Sequence, residues 1–218
     1  MMQAYNHIVS PLTAPWCGWT MLVLLLLAVF SEWIQPGVIS QAATSLTVRP
    51  ERAYKEAPTN TVAQLFIALF RLGTLAMAVC LCMPAGDTFS LLGYAVVLGI
   101  IFGMALLKIL CNLLLDYTFQ ISRRYGEIYE HYSNIFTLAC VALYVLLLFF
   151  MRIDSVAATR WMLAGVAGVF FCLWFYRSAR QYVRSPKAIL YLVVYMATLE
   201  LLPMAGIVIL SAKTISVL

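Results

Sequence analysis

The chain has 218 residues, of which 64% are hydrophobic and 11% are charged, and its mean hydropathy is +0.93. These values lie far outside the range of soluble domains and indicate an integral membrane protein. The net charge of +5 does not indicate nucleic-acid binding, because no soluble domain carries a basic stretch with interleaved base-stacking residues. We therefore expect a lipid bilayer, and no nucleic acid, as the main partner of the chain.

Six apolar stretches approach or reach the length of about 20 residues that a membrane-spanning helix requires. They cover residues 16–34, 63–83, 90–115, 132–151, 161–176 and 188–210. The first stretch also has the core length of a signal peptide, but no Lys or Arg precedes it, so we expect it to be retained. Residues 1–218 are expected to form one all-α domain, a six-helix transmembrane bundle.

The basic residues between the stretches are distributed unequally over the two sides of the predicted bundle. One side carries nine Lys and Arg residues and the other carries three. Because cytoplasmic loops carry the excess of positive charge, the side with nine is expected to be cytoplasmic. Both termini then lie on the non-cytoplasmic side.

The longest predicted loop covers residues 35–62. Glu51 with Lys55 and Arg52 with Glu56 are spaced i,i+4, which predicts a short interfacial helix that begins at Pro50. A capping box formed by Thr61 and Gln64 is expected to start the second span. Ser185 as the N-cap and Pro186 as the first helical residue are expected to start the sixth.

Small residues predict where helices pack closely, because side chains that small let two backbones approach each other in lipid. Gly99 and Gly103 form a GxxxG pattern in the third span, and Ala164 with Gly168 forms a weaker one in the fifth. The cysteines fall inside or at the edges of the spans, with no spacing typical of a disulfide framework or a metal site. No metal or cofactor is expected.

The sixth stretch contains a carboxylate, Glu200, three residues before Pro203. A charge at that depth costs roughly 2.5 to 3.5 kcal/mol, so it is expected to be paired, protonated or exposed to a watery cavity. Arg71 in the second span lies within about 6 Å of the same depth and is the expected partner. Pro203 leaves a carbonyl without its helical donor and predicts a kink beside Glu200. The pair either holds the helices together or takes part in transport or binding.

Lys108, Asn112 and Asp116 are spaced i,i+4,i+8 and form one polar stripe on the third span. Lys108 either extends to the cytoplasmic interface or faces a polar groove. In the following loop, residues 116–131, a cluster of Glu127, Glu130 and His131 is a weak candidate for a metal site or a lipid-modifying enzyme.

The fifth loop carries four basic residues that lie largely on one helical face: Arg177, Arg180, Arg184 and Lys187. Such a cluster attracts anionic lipid at the cytoplasmic face. It is interpreted either as general positive-inside anchoring or as a contact for lipid headgroups or a partner protein.

The last stretch contains the sequence Leu190-Tyr-Leu-Val-Val-Tyr-Met-Ala-Thr-Leu-Glu-Leu-Leu-Pro-Met204. It resembles the closing motif of an uncharacterised family of bacterial multi-pass inner-membrane proteins, domain of unknown function 4271, although Tyr195-Met196 stands where the family usually has Leu-Cys. Lys108 with Asn112, and Tyr132 with Asn134, are looser similarities. The resemblance implies a Gram-negative inner membrane and a motif built on Glu200 and Pro203, and it implies no assigned activity.

Sparse extramembrane mass and few reactive groups favour a non-catalytic inner-membrane subunit or accessory factor of an envelope assembly, in secretion or membrane-protein biogenesis, with other membrane proteins as partners. The alternative is a small ion- or proton-coupled transporter with Glu200 as its titrating site. An enzyme is not expected, since no phosphate loop, nucleophile elbow or His-containing acid–base pair occurs in a span.

Overall fold

The computed structural model describes residues 15–47, 60–82, 90–119, 122–150, 156–182, 206–207 and 209–210. Within these ranges all regular secondary structure is α-helical, as predicted. The helices are α1 (Pro15–Ile34), α2 (Val38–Thr47), α3 (Thr61–Cys82), α4 (Leu91–Phe119), α5 (Ser122–Phe150) and α6 (Val156–Tyr182).

Three of these helices are long and apolar enough to cross a membrane. They are α1, α3 over Thr61–Leu81 and α4 over Leu91–Cys111, and shorter apolar helical stretches occupy Ser133–Phe149 and Trp161–Tyr176. All five coincide with apolar stretches identified in the sequence. Most of the sixth stretch, 188–210, lies outside the described residues. The helices that the structure does describe are those of a membrane protein.

Helix α2 lies inside the segment that was expected to be a loop, and it corrects that prediction; the helix expected from Pro50 lies outside the described residues. The turn before α2 depends on Gly37, whose φ of 93° is readily available only to glycine. The Glu32 carboxylate accepts hydrogen bonds from the backbone N–H groups of Gly37 (2.6 Å) and Ile39 (3.1 Å). These donors at the helix start would otherwise lack partners, so Glu32 fixes the corner between α1 and α2.

The start of α3 also differs from the expected capping box. The backbone N–H of Val62 donates to the side-chain Oδ1 of Asn60 at 3.0 Å, and Gln64 N–H donates to the Asn60 carbonyl. Asn60 is therefore the N-cap, in place of the predicted Thr61–Gln64 pair, because Asn satisfies an unpaired N–H at a helix start as well as Thr does.

The third predicted loop, 116–131, is also helical almost throughout. Helix α4 continues to Phe119 and α5 begins at Ser122. The sequence supports this extension, since Arg123 with Glu127 and Glu127 with His131 are spaced i,i+4.

Helix α3 lies at the centre of the described bundle and packs against α1, α4, α5 and α6. Half of its apolar window is buried, against 17% of the window in α4. Its buried side chains recur at helical spacing on more than one face. They are Ala63, Ile67, Phe70, Thr74, Ala76, Met77, Ala78, Cys80 and Leu81.

The closest helix contact that a glycine permits lies between α1 and α3. A Cβ placed on Gly73 would overlap the Leu24 side chain and lie 3.2 Å from the Tyr94 hydroxyl. One helical turn from the end of α1, the Ser31 hydroxyl donates to the Ala63 carbonyl at 3.0 Å. The two contacts make α1 antiparallel to α3.

The predicted packing of Gly99 with Gly103 and of Ala164 with Gly168 is not found among the described residues. No atom lies within 4 Å of a Cβ built on any of the three glycines, and Ala164 is exposed. The reason for α4 is geometric, since its buried stripe of Tyr94, Val97 and Ile101 faces α3 and the glycines lie on the opposite side.

Substituting Gly73→Leu is expected to destabilise the protein by about 1–3 kcal/mol, because the added side chain has to separate α1 from α3 or displace Leu24 and Tyr94. The measurement is the thermal unfolding midpoint of the purified protein in detergent. The matched control, Gly168→Leu, adds the same atoms to an open face of α6 and should leave the midpoint nearly unchanged; equal losses in both variants would contradict the close approach at Gly73.

Candidate functional site

Arg71 is half-buried and lies on the part of α3 that faces α5. Its Nε donates to the Ile67 carbonyl at 3.3 Å, one turn back along the same helix. Its Nη1 donates to both the carbonyl (3.3 Å) and the hydroxyl (2.7 Å) of Ser133 on α5. The guanidinium therefore joins two helices through neutral oxygen atoms, and its planar fork suits several acceptors at once.

Further hydrogen bonds extend this contact along α5. The Cys140 thiol donates to the Arg71 carbonyl, with an S···O distance of 3.8 Å, and the Thr137 hydroxyl donates to the Ser133 carbonyl at 2.8 Å. Arg71, Ser133, Thr137 and Cys140 are called the Arg71 cluster below. Because hydrogen bonds to a charged donor are stronger than neutral ones, the Arg71 cluster is expected to be a strong polar contact between α3 and α5.

Glu200 and Pro203, the predicted partner of Arg71 and the predicted kink, lie outside the described residues. The structure does describe Gly206 and Ile207, which follow them in the chain. A Cβ on Gly206 would lie 2.9 Å from the terminal methyl of Met104, and Ile207 belongs to the buried core. The end of the last apolar stretch thus packs beside α4, one turn before Lys108.

Lys108 continues the buried stripe of α4, four residues after Met104, and is half-buried. Tyr94 on the same stripe donates its hydroxyl to the Gly73 carbonyl at 3.4 Å. Lys108 lies about 21 Å further along α4, and Gly73 lies about 18 Å from the start of α3 at Thr61. Lys108 is therefore nearly level with the start of α3, a position that favours extension of its ammonium group to the interface.

The remaining predicted site residues are only partly described. Asn112 and Asp116 lie on α4, and Arg177 and Arg180 on α6, with their side chains outside the described part; Arg184 and Lys187 lie outside it altogether. Glu127, Glu130 and His131 are on α5, again without described side chains. Among the side chains that are described, no three His, Cys, Asp or Glu residues come together.

The sequence reasoning missed Ser133, which accepts two hydrogen bonds from Arg71, and Glu32, which caps α2. Each carried a signal. Glu32 precedes Pro36-Gly37, a turn followed by a new helix start, where a carboxylate is favoured. Ser133 lies at the polar entrance of an apolar stretch, where a hydroxyl requires a partner inside the bundle.

Substituting Ser133→Ala is expected to destabilise the protein by about 1.5–3 kcal/mol, since a hydrogen bond to the Arg71 guanidinium is lost. The measurement is again the unfolding midpoint in detergent. Thr74→Val is the matched control, because the fully buried Thr74 hydroxyl has no hydrogen-bond partner among the described residues and its removal should cost nothing or stabilise the protein. A Ser133→Ala protein as stable as the Thr74→Val protein would contradict the assigned contact.

A comparison with protein-family models identifies the family of the chain. The family model described as a domain of unknown function (DUF4271) matches residues 18–210, which is most of the chain and includes all six described helices in whole or in large part. No curated protein and no solved structure matches the chain. Because the family model covers far more than half of the sequence, the chain belongs to the DUF4271 family.

Proposed function

We propose that this protein is a non-catalytic subunit or accessory factor of an envelope protein assembly in the bacterial inner membrane, acting in secretion or membrane-protein biogenesis. In this proposal it crosses the membrane six times, with both termini on the non-cytoplasmic side, as its distribution of Lys and Arg predicts. Its partners are other membrane proteins and anionic lipid.

The observation that carries the proposal is the structural use of Arg71. Arg71 is half-buried, and its guanidinium donates to the Ile67 and Ser133 carbonyls and to the Ser133 hydroxyl. These contacts join α3 to α5 within the fold. They support a bundle whose internal charge maintains the helix packing.

Helix α4 offers the surface on which a partner would pack. Its apolar window is the least buried of the three candidate spans. The half of the helix that follows Met104 exposes a run of large apolar side chains: Leu106, Leu107, Ile109, Leu110 and Leu113. A helix that exposes apolar side chains over most of its surface suits burial against other membrane helices.

The basic residues after α6 give the proposal a second contact. Arg177, Arg180, Arg184 and Lys187 follow a span closely and, in the predicted topology, lie at the cytoplasmic surface. Each such charge contributes about 1 kcal/mol of attraction to anionic lipid, and the same charges suit an acidic partner surface.

Cross-linking in intact cells tests the proposal. A photoreactive phenylalanine analogue in place of Leu110 on α4 is expected to give one discrete cross-linked product with another membrane protein. The same protein should also co-purify with the wild-type chain in mild detergent at a fixed stoichiometry. Both readouts follow from the burial of the α4 surface in an assembly.

Val169 on α6 is the matched control position, because its exposure of 58% is close to the 54% of Leu110. It should give weak and scattered products if α4 is the contact surface. A wild-type protein that purifies as a clean monomer under all mild conditions, with no discrete product from Leu110, would contradict the proposal.

The packing of Gly206 against Met104 favours a second candidate, a proton-coupled transporter. Glu200 precedes Gly206 by six residues, and Lys108 follows Met104 by four. In the proposed topology the last span is antiparallel to α4. Moving back from Gly206 to Glu200 and moving forward from Met104 to Lys108 then lead in the same direction across the membrane, so Glu200 and Lys108 lie on the same side of the Met104–Gly206 contact. In this candidate Glu200 takes up and releases the proton and Lys108 or Arg71 is its charge partner.

Proton flux into liposomes that contain the purified protein and a pH-sensitive dye tests this candidate. Glu200→Gln is expected to abolish the flux, because the amide does not titrate. Glu32→Gln should leave it intact, since Glu32 caps α2. Wild-type flux equal to that of protein-free liposomes, or unchanged flux in Glu200→Gln, would exclude the transporter.

A further inference from the structure

An apolar groove of about 790 Å³ opens on the outer surface of the bundle between α1 and α4. Residues 16–27 of α1 and residues 91–102 of α4 form its walls, and Leu69, Leu72 and Gly73 of α3 form its floor. Near one end the rings of Trp16 and Tyr94 approach to 6.0 Å between centroids.

The length of the groove matches one leaflet of a bilayer. Each wall extends over eleven residue steps, from 16 to 27 and from 91 to 102, which is about 16 Å of helix. The hydrocarbon core of a bilayer is about 30 Å thick, so one leaflet contributes about 15 Å. A single extended acyl chain therefore covers the groove from end to end.

The chemistry of the lining suits hydrocarbon. Its polar side chains are those of Thr20 and Tyr94, and both hydroxyls donate to backbone carbonyls, of Trp16 at 2.8 Å and of Gly73 at 3.4 Å. The tryptophan indoles are placed near the end where α1 and α4 begin, and Trp19 is 70% exposed. Tryptophan at such a position prefers the level of lipid headgroups.

The lining favours an occupant that is apolar along its whole length, because the groove presents almost no polar surface. An acyl chain is narrow and flexible enough to lie against the floor formed by α3.

We propose that the groove is a binding site for one acyl chain of a phospholipid, whose headgroup lies beside Trp16 and Trp19. The bound lipid belongs to the leaflet at which α1 and α4 begin, opposite to the leaflet that the basic residues after α6 face in the predicted topology. The site is thus distinct from that basic cluster.

Gly99 lies at the edge of the groove on the α4 side, away from the floor formed by α3. It lies in the lining, and nothing within 4 Å would contact a Cβ there. Gly103 follows one turn later, is equally free of neighbours, and does not line the groove. Of the two glycines of the GxxxG pattern, therefore, only Gly99 lines the groove, and Gly103 is its matched control position.

Photolabelling of the full-length protein in detergent tests the proposal. The probe is a phosphatidylethanolamine with a diazirine in its acyl chain, at limiting concentration, with unlabelled phosphatidylethanolamine as competitor. Wild-type labelling should saturate and map to residues 16–27 and 91–102. Gly99→Leu should weaken binding roughly tenfold, the effect of losing about two buried methylene groups, and Gly103→Leu should bind like the wild type.

Three results would overturn the proposal. Labelling that does not saturate, or that spreads evenly to Leu106 and Leu110, indicates ordinary boundary lipid. A folded Gly99→Leu protein that is labelled like the wild type shows that the acyl chain of the lipid binds elsewhere. A co-purified protein whose removal exposes the groove to the probe shows that a partner protein occupies the groove. If Gly99→Leu lowers the unfolding midpoint sharply, the variant is not a valid test. The positions labelled in the wild-type protein then decide between the groove and ordinary boundary lipid.

Discussion

Apolar side chains gain little by leaving lipid for protein, so the helices of this protein depend on close backbone approach and on hydrogen bonds to main-chain carbonyls. Ser31 bonds to the Ala63 carbonyl, Tyr94 to the Gly73 carbonyl and Tyr144 to the Met21 carbonyl at 2.9 Å. A carbonyl oxygen has two lone pairs, so each bond adds to the helical bond that the oxygen already accepts. Helices α1, α4 and α5 are thereby linked without breaking a helix.

Two charged side chains whose contacts are described, Arg71 and Glu32, also engage the backbone. Arg71 donates to carbonyls of α3 and α5, and Glu32 accepts from the first N–H groups around α2. Each charge is matched to the dipole that opposes it, the cation to carbonyl oxygens and the anion to a helix start. Charge in this bundle thus has a structural use. The interpretation of Arg71 as a packing residue rests on the same principle as the capping by Glu32.

The sequence predicted the helices better than their contacts. Hydrophobic length alone identified α1, α3 and α4, because a span has to be about 20 apolar residues long. It missed α2, whose short and mixed sequence becomes helical through a carboxylate five residues earlier. It did not identify the close approach at Gly73, since a small-residue pattern says nothing about which side a neighbour occupies. Contacts such as Arg71 with Ser133 join residues 62 positions apart, and no local pattern encodes them.

The groove between α1 and α4 lies beside two residues that meet across the helix contact, Gly73 on α3 and Tyr94 on α4. Gly73 lets α1 approach α3 until Leu24 fills the space where a Cβ would stand. Tyr94 does the opposite for α4, because its buried ring and hydroxyl extend to the Gly73 carbonyl. Leu24 thus packs directly on the α3 backbone, whereas a tyrosine side chain lies between the backbones of α3 and α4, and the Tyr94 ring also approaches Trp16 of α1. A bilayer fills such an opening with whatever hydrocarbon fits it, and here its length is that of one leaflet.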